Sequence, residues 1–276
     1  MTVRPRDYLS TIYALAIGIC GVGALIALTD WRTLYANALP LTFFAALSLI
    51  LKRAGFHAAP EVTHSLVGIV DLAAVFIFGP ILGAWVAAAS GFLYLFLNAL
   101  RRSKHTLRHI FEAPIFNAGL KIGMAYVSTH LYTLCGGEFA PSDFTLYEIL
   151  PVFVASLAWF TMDHIGWGLL EFLRGGVTGL VTFYRSIFFF SLLTELLPLP
   201  FAIVIAVVYG SGAQGIFLML TFGLIGTAII VQRLADTSAR LERHRNELAV
   251  LNEFGQAITR AGFNSEKIVD LVYEHA

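Results

Sequence analysis

Charge is what this sequence has least of. Only 13% of its 276 residues are Asp, Glu, Lys or Arg, against 58% hydrophobic, and the mean hydropathy is +0.76. A soluble domain carries about 25% charged residues to cover its surface, so that class is excluded. Cysteine is equally sparse: Cys20 lies mid-way along the first apolar run and Cys135 near the outer end of a later one. At about 1.5 Å of rise per residue their depths differ too much for a disulfide, and both read as packing residues. The sequence also lacks a Gly-rich phosphate loop, an H-E-x-x-H pair and a Ser nucleophile elbow. No catalytic site, cofactor or metal is expected. Formal net charge is 0, and no nucleic-acid partner is expected.

What is present is apolar sequence in long runs from Leu9 to Val231. Runs of about 17–25 residues mark transmembrane helices. The spans read as 9–28, 33–51, about 63–79, 81–100, 114–135, 149–172, 187–209 and 214–232. The short third span turns at Gly79-Pro80 into the fourth, and the two alternatively form a re-entrant hairpin that leaves the topology's parity unchanged. Arg4 and Arg6 precede the first run, which is too long for a signal-peptide core and has no A-x-A-type site, so it reads as a retained anchor.

Orientation follows the basic residues. Arg4, Arg6, Lys52, Arg53, Arg101, Arg102, Lys104, Arg108, Arg174, Arg185 and everything basic after Arg233 fall on one side. The opposite side holds Arg32 and an acidic loop with Glu138, Asp143 and Glu148. The expected fold is an all-α integral membrane bundle of about eight helices with both termini cytoplasmic. Gly83, Ala87 and Gly91, and the G-x-x-x-G of Gly119 and Gly123, mark close helix contacts, read as packing within one subunit.

After Val231 the character changes. Leu234, Leu241 and Leu248 recur every seven residues, with Ile230, Thr237, His244 and Leu251 at the intermediate seam positions. That heptad continues the eighth span and predicts a parallel dimeric coiled coil, the alternative being an amphipathic helix on the membrane surface. Thr237 and His244 weaken the seam. The end of the chain reads as two helical pieces, Leu251 to Thr259 and Ser265 to Glu274, with Ser265 as an N-cap. Their apolar faces have no downstream partner, as at the front edge of a domain whose remainder is missing. The domains expected are thus 1–232 bundle, 233–253 stalk and 254–276 domain start.

Two resemblances follow from particular residues. Leu251 to Glu274, with L-N-E-x-x-x-A-I and I-V-x-L-V-Y-E, resembles the opening helices of a GAF domain. SLVGIVDLAAVFIFGPILGAWVAAASGF (Ser65 to Phe92), PIFNAGLK (Pro114 to Lys121), FYRSIFFFS (Phe183 to Ser191) and VVYGSGAQGIFLMLTFG (Val207 to Gly223) resemble a family of bacterial membrane-associated sensor domains. That family precedes GAF, diguanylate-cyclase, HD-GYP or histidine-kinase outputs. The sequence departs at Met162-Asp163-His164, where family members often carry an Asn. The resemblance implies an input module in the bacterial inner membrane, upstream of a cyclic-di-GMP or phosphotransfer output.

Ionisable groups inside lipid are costly and need an account. Asp71, Lys121, Asp163, His164 and Glu195 fall in one broad layer by counting from the inner ends of their spans. Asn117, Lys121 and Ser128 share one face of the fifth span, which is expected to look inward. Glu195 precedes Pro198 and Pro200, which free carbonyls at that depth. The expectation is a polar pocket with Lys121 paired to Asp71, Asp163 or Glu195; the alternative is a self-satisfied network that fixes helix register. His105, His109 and Glu112 form an incomplete ligand set and read instead as a basic, lipid-facing helix. Functionally, a sensory input module leads, with lipid, a second copy of the chain and an unknown stimulus as partners. The alternatives are a secondary transporter or its substrate-binding subunit, and a passive anchor.

Overall fold

The computed structural model describes residues 5–59, 62–101, 107–141 and 145–261. The chain divides into two units, Met1–Ile229 and Ile230–Ala276. The elements are α1 (Pro5–Leu28), α2 (Trp31–Ala36), α3 (Ala38–Arg53), β1 (Phe56–Ala59), β2 (Val62–His64), α4 (Val67–Arg101), α5 (Leu107–Leu134), α6 (Ile149–Ser191), α7 (Ala202–Gly210) and α8 (Gln214–Ala261). Among the described residues the fold is helical apart from β1 and β2. These pair antiparallel with Phe56 opposite His64 and His57 opposite Thr63, so the start of the expected third span, about 63–79, is a strand and the helix begins at Val67.

Among the described residues, four helical stretches are long and apolar enough to cross a membrane: Tyr8–Leu28, Val67–Leu100, Leu146–Phe188 and Gln214–Asn252. The difference from the eight spans expected has three causes. One is that α5, 28 residues long, is not apolar enough, because Asn117, Lys121 and His130 dilute its hydropathy. Some segments are short: α3 has 16 residues and α7 has 9, against about 20 for a full crossing. In addition, α4 and α6 each contain two helical arms.

Within α4, Gly79 adopts φ 79° and ψ −178°, open to glycine and strained for other residues. Pro80 follows and begins the next arm without needing an N–H partner. A Cβ on Gly83 would lie 2.5 Å from the Cα of Val75. Residues eight apart in a straight helix are about 12 Å apart, so the chain reverses at Gly79 and the arms 67–78 and 80–101 pack as a hairpin. The tip is tied to the 135–148 connection: Ala140 N–H donates to Phe76 O at 2.8 Å.

The arm 67–78 is buried at every residue from Ile69 to Ile77. It spans about 18 Å, less than the hydrocarbon thickness, and a helix apolar all round is the mark of an interior one. This arm is the centre of the core.

The second reversal, at Gly176 (φ 67°, ψ −154°), corrects a sequence expectation. The seventh span was expected to begin at 187 after a basic loop. Instead the returning arm begins just after Gly176, with Tyr184 Oη donating to His164 O at 3.2 Å across the hairpin. Arg185 therefore stands on a helix, and it is the polar residues Thr178, Thr182 and Arg185 that hid this stretch from a hydropathy reading.

Close packing matches the small residues in part. Gly119 meets Ile17, Gly18 and Gly21 of α1, and Gly91 meets Asn117, whereas a Cβ on Gly123 would touch nothing within 4 Å. Cys20 is exposed and does not pack as expected; Cys135 is half-buried, and both are free thiols.

In the second unit the heptad residues Ile230, Leu234, Leu241, Leu248 and Leu251 are 60–66% exposed. Thr237 turns its hydroxyl to Arg233 O at 2.8 Å, and His244 Nδ1 lies 3.2 Å from Glu247 Oε2. Residues 262–276, most of the GAF-like segment, and His105 lie outside the described residues.

Candidate functional site: a polar cluster inside the bundle

Asp71 lies on the innermost arm, so its carboxylate is removed from solvent on all sides. Burying a charge without partners costs several kcal/mol, and the surrounding helices supply them. Ser48 of α3 donates to Asp71 Oδ1 at 2.8 Å, and Ser90 of the returning arm approaches the same oxygen at 3.4 Å. Lys121 Nζ of α5 stands 3.6 Å from Oδ2. Of the three pairings open to Lys121, that with Asp71 is a direct contact. The ammonium also lies over the Trp159 ring, 5.0 Å from its centroid, a cation–π contact that offsets part of its desolvation.

Asn117, one turn before Lys121, is buried with them, and its Nδ2 has no acceptor; Ser128 on the same face is fully buried and its hydroxyl is unpartnered. The face of α5 expected to look inward does so.

Asp163, His164 and Glu195 form the second part. One ligand atom from each lies within 4.8 Å of the others. His164 is buried on α6; its Nδ1 is 3.0 Å from Phe160 O and its Nε2 has no partner. A carbonyl only accepts, so Nδ1 carries the proton, and in the neutral ring Nε2 keeps a free lone pair. Phe160 stacks on the imidazole at 4.0 Å between centroids, and Phe188 meets it edge-on at 6.0 Å. Glu195 reaches the cluster from a π-helical turn, Leu192–Leu196, which is followed by a 3-10 turn at Leu199–Phe201. That irregularity realises the break expected from Pro198 and Pro200, and wide turns of this kind concentrate at functional sites.

The two parts share one electrostatic neighbourhood. Asp163 lies within range of Lys121, Glu195 and Lys52, and Lys52 within range of Asp71, Lys121, Asp163 and Glu195. Lys52 also sits 5.4 Å from the centroid of the Tyr94 ring. Three carboxyl groups and two amines thus meet in this neighbourhood.

Several participants were not anticipated from sequence. Lys52 was assigned to a loop by the positive-inside pattern, and Ser48, Ser90 and Trp159 carry no signal in an apolar run. Glu112 was considered only as a metal ligand; it is buried, accepts from Thr11 Oγ1 at 3.3 Å and lies 3.8 Å from Arg174. Arg174 also pairs with Glu171 at 3.0 Å. This second, shallower ion-pair set joins α1, α5 and the turn of the α6 hairpin.

Comparison with known proteins finds no matching family model, no matching characterised protein and no matching solved structure.

Proposed function

We propose that this chain is a membrane-embedded sensory input module of a bacterial signal-transduction protein. It lies in the inner membrane as a bundle of about eight helical segments with both termini cytoplasmic: α4 and α6 supply two arms each, and the second arm of α6 runs through residues 192–201 into α7 as one segment. A change at the interior polar cluster passes through α8 and a paired coil to a cytoplasmic output, either cyclic-di-GMP turnover or a histidine kinase. The observation that carries this reading is the exposed apolar seam of Ile230, Leu234, Leu241, Leu248 and Leu251 on the helix that begins as an apolar span at Gln214. Such a stripe at heptad spacing calls for a second helix, here that of another copy of the chain.

Packing inside the first unit supports a route from the cluster to α8. Ser48, which donates to Asp71, lies one turn from Phe44. Phe44 contacts Tyr209 of α7 and Phe217 at the start of α8, each at 5.8 Å between ring centroids. A Cβ on Gly68, one turn before Asp71, would lie 3.1 Å from Leu199 of the irregular segment. A rearrangement around Asp71 therefore meets both α3 and the turn that precedes α7. A change in signalling state needs an element with two arrangements, and the π turn around Glu195 and the seam at Thr237 and His244 are the two available.

The test is disulfide cross-linking in membranes, on a Cys20→Ser, Cys135→Ser background. Leu241→Cys and Leu248→Cys are expected to give covalent dimers, and Asn246→Cys, on the opposite side of the heptad, none. Equal cross-linking at all three, or none at the seam, removes the input-module reading.

One observation favours a second reading, a secondary transporter: the break at residues 192–201 lies beside intramembrane charges, as in discontinuous transporter helices. Solute-dependent charge movement in proteoliposomes without seam cross-linking would establish that reading instead.

A further inference from the structure

We infer that Asp163, His164 and Glu195 form a binding site for a divalent first-row transition metal of the Zn2+ class. The three ligand atoms come from two separate segments of the bundle, adjacent positions on α6 and the π turn at 192–196, and lie within 4.8 Å of one another. In a tetrahedral site with bonds of about 2.0–2.2 Å, ligand atoms stand about 3.4 Å apart. Side-chain rotation of about 1.4 Å therefore completes the set.

The independent observation is at His164. Its Nε2 is buried, has no hydrogen-bond partner, and belongs to a ring whose other nitrogen is held by the Phe160 carbonyl. Metal-ligating histidines are oriented this way: the far N–H bonds a carbonyl or carboxylate, which sets the tautomer and presents the lone pair to the ion. A His with no such task in an apolar wall would leave Nε2 paying the full desolvation cost for nothing.

Charge and ligand type agree. Asp163 and Glu195 set two carboxyl groups beside the unpartnered Nε2 of His164, a donor set that suits a cation. One imidazole with two carboxylates suits Zn2+, Mn2+ or Fe2+ better than the all-oxygen set preferred by Mg2+ or Ca2+. Three protein ligands leave a position for water or a further ligand. Because Glu195 sits on the π turn, binding would pull that turn toward α6.

That the metal acts as the stimulus rests on the input-module reading; the binding itself does not. The experiment uses the full chain in detergent micelles, stripped with chelator, loaded with Zn2+ and desalted. Elemental analysis is expected to find one Zn2+ per chain, retained in His244→Gln and lost in His164→Gln and in Glu195→Gln. Co2+ on the unmodified chain is expected to give the intense visible bands of a four-coordinate site, a readout that does not depend on any variant folding. Absence of stoichiometric Zn2+, equal binding in both cluster variants, or only the weak bands of six-coordinate Co2+ overturns the site. A chain that binds Zn2+ at His164 yet forms no seam cross-links keeps the metal site and loses the signalling function.

Discussion

The carboxylate of Asp71 and the ammonium of Lys121 stand 3.6 Å apart, on the central arm of α4 and the inward face of α5, with Asp71 fully buried and the Lys121 side chain 9% exposed. Removing one partner of a buried pair leaves the other charge uncompensated, at about 3–5 kcal/mol. Lys121→Met is expected to lower thermal stability in detergent by that order. The Asp71→Asn, Lys121→Met double variant should recover most of the loss, because no net charge then remains buried between them. A double variant less stable than the two single losses combined would show that the pair is not the coupled unit.

The two glycines of the α5 G-x-x-x-G differ in consequence. A side chain at Gly119 would collide with the backbone of Ile17 and Gly18, and one at Gly123 meets nothing within 4 Å. Gly119→Leu is expected to abolish monodisperse folded protein, and Gly123→Leu to leave the size-exclusion profile unchanged. Equivalent behaviour would remove the α1–α5 contact as the reason for Gly119.

The hairpin of α4 depends on two positions. Gly79→Ala strains a backbone at φ 79°, and Gly83→Val places a side chain against the backbone of Val75. Both are expected to destabilise, Gly79→Ala by about 1 kcal/mol or more and Gly83→Val by more than that. Thermal denaturation followed by circular dichroism reads the order, and the reverse order would contradict the tight arm-to-arm packing.

Repairing the seam should tighten it. His244→Leu replaces a polar residue at a heptad position, where its ring meets Glu247 three residues on. The variant is expected to shift the monomer–dimer equilibrium toward dimer by about tenfold, measured by dilution-dependent energy transfer between labelled chains. A shift toward monomer would argue for the helix lying on the membrane surface.

Topology is read with a membrane-impermeant maleimide on the cysteine-free background. Tyr147, which is 91% exposed in the connection before α6, is expected to label from outside as Tyr147→Cys. Asn246→Cys should label only after permeabilisation. Labelling of both positions from one side would overturn the three passes proposed between them.

How much was legible in advance divides along physical lines. That Asp71, Lys121, Asp163, His164 and Glu195 belong together was readable, because each is an ionisable group in an apolar run and depth along a helix can be counted. Which of them touch was not. Lys121 had three equivalent carboxylates by depth, and the choice of Asp71 was made by the reversal at Gly79, which brings the central arm and Ser90 against α5. Lys52 was not counted with the cluster because the positive-inside rule reads charge along the chain and not side-chain reach; it stands in the last turn of α3, 5.4 Å from the Tyr94 ring centroid. The start of the seventh helix was missed because Thr178, Thr182 and Arg185 dilute its hydropathy on one face.

The sequence alone determined that this chain is helical, with apolar runs long enough to cross a membrane and a heptad after the last of them, since composition, run length and residue period act locally along the chain. Tertiary structure decided which helix is central, where two long helices fold back on glycine, and which polar side chains meet. Those outcomes depend on contacts between residues far apart in the chain, where a backbone can approach only as closely as the side chains between allow. Hydropathy carries no record of that distance.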